Sequence, residues 1–186
     1  AWSKSRPARN FYLSFFSQTG KISVDKSPSL PYDGEYQTAE PSTCERNLSV
    51  MDIILGIDIG GSATKVVGLD GNGNPLSMLR VRAEDQVTSL YGALGNYLTS
   101  NRLSLNEVRR VVLTGVGASY VEGDIYGLPT CKVDEFSATG TGALALSGQS
   151  SAVVVSMGTG TAFVEVQGNA SRHLGGTGVG GGTLLG

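Results

Sequence analysis

At 186 residues with a hydrophobic share of 40%, the chain is long enough for one packed domain and part of a second. Its formal charge of −2 and pI near 5.4 exclude a non-specific nucleic-acid or anionic-membrane binder, which needs a basic face. Cys44 and Cys131 are the two cysteines, too far apart to suggest a disulfide framework or a metal pair, so the sequence reads as a cytoplasmic protein of a reducing compartment. No run approaches the roughly 20 apolar residues of a spanning helix.

Residues 1–50 are rich in Ser, Pro and charge and lack an apolar period beyond Phe11-Tyr12-Leu13-Ser14-Phe15-Phe16. They are expected to be disordered or a non-native extension, with Met51 as the natural start. A targeting segment is the rival reading, because Lys4, Arg6 and Arg9 come first, but the apolar stretch is short. Of the 27 glycines, 25 lie at or after position 51, which marks the boundary of the folded part.

From Met51 the pattern is regular. Strands over Ile53–Asp58, Ala63–Leu69 and Pro75–Arg82, joined by glycine turns, predict an antiparallel meander. Val87, Leu90, Tyr91, Leu94 and Leu98 fall on one stripe of a helix near Glu84–Asn101. Gly92 and Gly95 inside that helix suggest a close neighbour. A buried strand, Val108–Leu113, runs into the turn Thr114-Gly115-Val116-Gly117-Ala118 at its C-terminal end, where ligands collect in open α/β sheets. A second helix is predicted over Asp134–Ser147.

A second strand–turn–strand begins at Ala152, and its turn Gly158-Thr159-Gly160 echoes Gly60-Gly61-Ser62. Aligning Asp58-Ile59-Gly60 with Ser156-Met157-Gly158 also brings Val66 onto Val164. Such a repeat implies two similar domains across a cleft, the first over 51–150 and the second opening at 151–186. The glycine-rich Leu174–Gly186 stops where a helix would open, so the chain is expected to be a fragment with its second domain truncated.

Two turns that present backbone N–H groups and hydroxyls suit the phosphates of one nucleotide. Gly60 and Gly61 permit close backbone approach, with Ser62, Thr64 and Lys65 as further phosphate partners. Strand alternation puts Ser62 and Thr64 on one face and Lys65 on the other, which ranks Lys65 lower. An ordinary hairpin is the plain alternative. Gly158, Thr159, Gly160 and Thr161 form the second loop, and Gly180, Gly181 and Gly182 lead into a helix N-terminus that can hold an anion. Asp58, a carboxylate ending an apolar strand, either caps its turn or holds Mg²⁺ near the phosphates.

At Gly56–Lys65, Thr114–Gly117, Glu135-Phe136, Ser156–Thr161 and Gly175–Gly182 the sequence resembles the actin-like ATPase superfamily, whose fold is α/β and ribonuclease H-like. Within it the chain looks most like a type II pantothenate kinase. The resemblance covers Met51–Gly186 and implies ATP-dependent phosphorylation of pantothenate, with ATP and Mg²⁺ as cofactors and a homodimer as the full-length state. By position alone, Asp134 and Glu135 complement a helix N-terminus; the resemblance makes Glu135 the general base. It also implies that Thr159, Arg172 and His173 meet substrate or transferring phosphate. The chain departs from the family at Ala162, where a serine is usual, and at His173, where an arginine is usual.

Two alternatives stay open. One is a sugar-type kinase with another hydroxyl substrate. The other is an ATPase that activates an acyl-CoA dehydratase through a cysteine-held iron–sulfur cluster, for which Cys131 alone is too few thiolates unless subunits share the cluster. As a fragment, the chain by itself is expected to be inactive.

Overall fold

The computed structural model describes residues 52–184. The expectations for residues 1–50, including the apolar cluster at Phe11–Phe16 and Cys44, lie outside the described residues. The first sheet contains β1 (Ile53–Ile59), β2 (Ala63–Leu69), β3 (Pro75–Arg82), β4 (Val108–Thr114) and β5 (Thr130–Lys132), in the order β3-β2-β1-β4-β5. The β1–β2 and β2–β3 pairs are antiparallel, and β1–β4 and β4–β5 are parallel. The second sheet is an antiparallel meander of β6 (Ser151–Met157), β7 (Thr161–Gln167) and β8 (Ala170–Thr177).

Each meander opens with a three-residue glycine turn, 60–62 in the first and 158–160 in the second. In both, the leading glycine N–H turns back on its own loop: Gly60 donates to Ala63 O (3.0 Å) and Gly158 to Gly160 O (2.8 Å). The internal repeat expected from sequence is therefore a repeat of topology and turn length.

Alternation in β1 sets the first core. Ile53, Leu55, Ile57 and Ile59 are buried on one face, where α1 (Gln86–Ser100) covers them. Asp85 caps α1 by accepting from Thr88 N (2.7 Å). The buried stripe of α1 is Leu90, Ala93, Leu94 and Tyr97, rotated from the predicted one, so that Val87 is exposed. The rotation follows from Tyr97, whose hydroxyl accepts from Gly68 N (2.8 Å) and donates to Ser77 O (3.1 Å), tying α1 to β2 and β3. Gly92 and Gly95 do not mark a close neighbour: a β-carbon on either meets open space.

The second helix, α2 (Glu135–Ser147), packs on the second sheet. Ala143, Leu144, Ala152, Val154, Val164 and Val166 form a separate core with Phe136. Gly140 makes this approach possible, since a β-carbon there would lie 2.7 Å from Val166 Cγ2. A last short helix, α3 (Gly181–Leu184), follows β8. No helix among the described residues is long and apolar enough to cross a membrane.

Candidate functional site

The parallel strands β1, β4 and β5 all point their C-terminal ends to one edge of the first sheet, the position where α/β sheets collect ligands. Asp58 is the penultimate residue of β1, Thr114 closes β4, and the chain leaves β5 for the start of α2. Asp58 stands opposite Thr114 across the parallel pair and opposite Lys65 across the antiparallel one.

Lys65 Nζ donates to Asp58 Oδ2 at 2.8 Å, with side-chain exposures of 19% and 15%. Directly opposed residues in an antiparallel pair share a face, so Lys65, ranked low from sequence, belongs beside Asp58. Thr64 is the residue turned away. It is fully buried, its hydroxyl has no partner, and it is not brought to the loop face.

Gly115, with φ of 86°, lets the turn after β4 lie against the same carboxylate. A β-carbon there would collide with Asp58 Oδ1 and sit 2.7 Å from Ile59 O. Gly117 likewise presses on Ile59. These two glycines shape the site at the strand end where the sequence places ligands; their packing against Asp58 and Ile59 is what the sequence does not show. The Thr114 hydroxyl is also buried without a partner.

The two glycine turns approach each other. Ser62 Oγ and Thr159 Oγ1 lie 3.4 Å apart, both in exposed residues, a long contact that marks proximity more than a strong bond. The glycine-rich stretch braces the second turn from behind. Gly181 N donates to Gly158 O (2.8 Å), Thr161 Oγ1 donates to Val179 O (2.8 Å), and a β-carbon on Gly160 would sit 2.8 Å from Thr177 O. Gly180 is needed for contact, because a β-carbon on it would overlap the carbonyls of Gly158 and Thr159. Gly182 lies within α3.

Asp134 caps α2, accepting from Ser137 N at 2.9 Å. That leaves the neighbouring Glu135 carboxylate unspent on the helix end. Although Glu135 retains solvent access as a residue, its pKa is raised above the ordinary glutamate value. Partial burial of the carboxyl contributes most, the negative charges of Asp58 and Asp134 add to it, and Lys65 opposes it. Asp58, Lys65 and Glu135 are thus one electrostatic group formed by the first sheet and the start of α2.

Arg172 and His173 part company. Arg172 is held by Glu165, its cross-strand partner, at 2.6 Å and 2.9 Å. His173 lies against Phe136 on α2, with ring centroids 4.4 Å apart. Cys131 is the free cysteine of the described residues, and burial pushes its thiol pKa up.

Among the described residues no three His, Cys, Asp or Glu side chains cluster to hold a metal. A hard cation here would take one or two carboxylates and fill its shell with water and phosphate oxygens, which is how Mg²⁺ is commonly held. Asp58 fits that role.

The solved structures that this chain resembles include component A of (R)-2-hydroxyglutaryl-CoA dehydratase from Acidaminococcus fermentans, at 17% identity and a TM-score of 0.54, over 64% of this chain and 44% of that one. A candidate N-acetylglucosamine kinase from Chromobacterium violaceum matches at 18% identity and a TM-score of 0.50, over 66% of this chain and 48% of that one. The chain spans less than half the length of either. No curated protein matches it in sequence. The architecture is the actin-like ATPase fold. The profile of the BadF/BadG/BcrA/BcrD ATPase family matches residues 55–182, and the chain belongs to that family.

Proposed function

We propose that the protein carrying this chain is an ATP-dependent kinase that transfers a phosphoryl group to the primary hydroxyl of pantothenate. The carrying observation is Glu135: Asp134 does the capping, so Glu135 stands free beside Asp58 and Lys65 with a raised pKa. A carboxylate tuned upward is suited to take a proton from an attacking hydroxyl. The choice of pantothenate rests on the resemblance of Glu135-Phe136, the second glycine turn and the Gly175–Gly182 segment to type II pantothenate kinases.

Phosphoryl transfer asks the protein mainly for positioning and for neutralised charge. The backbone N–H groups of Gly61, Ser62, Thr159 and Gly160, which follow the internally bonded leading glycines, orient a nucleotide's phosphates, with the Ser62 and Thr159 hydroxyls between them. Lys65 supplies the fixed positive charge. Mg²⁺, when bound, would draw charge from the phosphates, and Asp58 would hold it. Glu135 accepts the hydroxyl proton.

The test is to incubate the whole protein with ATP, Mg²⁺ and pantothenate and to analyse the products by mass spectrometry. Phosphopantothenate is the expected product. ATP hydrolysis with no phosphorylated acceptor overturns the kinase reading and leaves an ATPase whose output is a conformational change, the class to which dehydratase activators belong.

A further inference from the structure

The first turn of α2 carries Glu135, yet the side chains anchoring that turn reach the second sheet. Phe136 stacks on His173 with ring planes 3° from parallel and centroids 4.4 Å apart. Ser137 Oγ lies 3.0 Å from Ser171 Oγ. Ser171 and His173 are two residues apart on β8, so they face α2 together, while Arg172 between them turns to Glu165. One turn further on, Gly140 seats the helix on Val166.

Glu135 immediately precedes Phe136, whereas its charged neighbours Asp58 and Lys65 belong to the first sheet. Whatever fixes Phe136 on β8 therefore fixes where Glu135 stands relative to Asp58. His173 is the residue that does so, and it uses a flat aromatic face, a surface that phenylalanine also offers.

We propose that His173 is a positioning residue, whose ring stacks on Phe136, holds the first turn of α2 to β8, and thereby sets where Glu135 stands relative to the first sheet. It rests on the kinase reading only for Glu135 being the base. It gives His173 a task that needs the ring and not the ring nitrogens, in place of the ligand contact that the resemblance implies.

The experiment compares wild type, His173→Ala and His173→Phe in the whole protein by two readouts. The first is deuterium exchange at the amides of residues 137–141, which needs no activity. Exchange should rise about tenfold in His173→Ala as the turn loosens and return to the wild-type rate in His173→Phe. The second is steady-state kinetics with pantothenate and ATP. Misplacing the base should lower kcat about 10–100-fold in His173→Ala with both KM values nearly unchanged, and His173→Phe should recover most of it.

Unchanged exchange in His173→Ala overturns the proposal whatever the activity. So does a His173→Phe protein whose helix is restored but whose KM for either substrate rises about tenfold, which makes the nitrogens ligand contacts. If exchange follows the expected pattern and the wild type forms no phosphorylated product, the positioning role stands and the kinase reading falls.

Discussion

Asp58 and Lys65, the two residues that flank the first glycine turn at matching register positions, form a 2.8 Å ion pair. Both side chains are largely withdrawn from water, so neither charge is cheaply left alone. Lys65→Met should destabilise the chain by about 1–3 kcal/mol, below the full range for a deeply buried pair because some solvent remains. The Asp58→Asn/Lys65→Met double variant should be less destabilised than Lys65→Met. Urea unfolding of both single variants, Asp58→Asn and Lys65→Met, and of the double variant measures the coupling; additive losses would show that the pair carries no specific energy.

Glu135→Gln should keep the fold and lower turnover about 10²–10⁴-fold, the usual range for losing a general base. The raised pKa also fixes two signs. A base acts deprotonated, so turnover should fall on acidification at a higher pH than an ordinary carboxylate allows. For stability, the folded protein holds the Glu135 proton more tightly than the unfolded chain does. Its contribution is therefore present below the unfolded pKa and is lost as pH rises through the folded one. Glu135→Gln should then unfold no more easily than wild type at neutral pH, with no advantage in acid; a marked loss of stability at neutral pH would contradict the sign.

The second glycine turn separates two kinds of glycine. A β-carbon on Gly158 meets nothing, whereas one on Gly180 meets the carbonyls of Gly158 and Thr159. Gly180→Ala should cost about 1–3 kcal/mol through overpacking, and Gly158→Ala should leave the unfolding midpoint nearly unchanged. Thermal unfolding of the two variants side by side is the check, and equal losses would mean that the glycine-rich stretch does not brace the turn.

Gly92 and Gly95 sit on the exposed side of α1 with room for a side chain and ordinary helical φ. Replacing either with alanine should stabilise the chain by about 0.5–1 kcal/mol. A chemical denaturation series on the single and double variants reads this directly, and destabilisation would place an unseen neighbour against that face.

Local patterns carried much of the architecture. The bounds of β2 and β3 match the expectation residue for residue, and β1 and β4 run one residue longer than expected. A two-residue apolar period and a glycine turn are both decided within a few residues of chain. The rotation of α1 was not legible, because Tyr97 is buried by hydrogen bonds to Gly68 and Ser77, which are distant in sequence. Nor was the order of Thr64 and Lys65, since the facing of a strand depends on which neighbour it pairs with.

The sequence by itself determined that this chain has two strand–turn–strand devices of like length and that Glu135 opens a helix, because turns, caps and alternation are short-range effects. Tertiary structure alone decided that α2 joins the second sheet, that Lys65 and not Thr64 meets Asp58, and that the Gly175–Gly181 stretch supports the second turn. These outcomes depend on which surfaces bury one another and on charges brought together from residues 58, 65 and 135, and packing over such separations leaves no local periodicity to read.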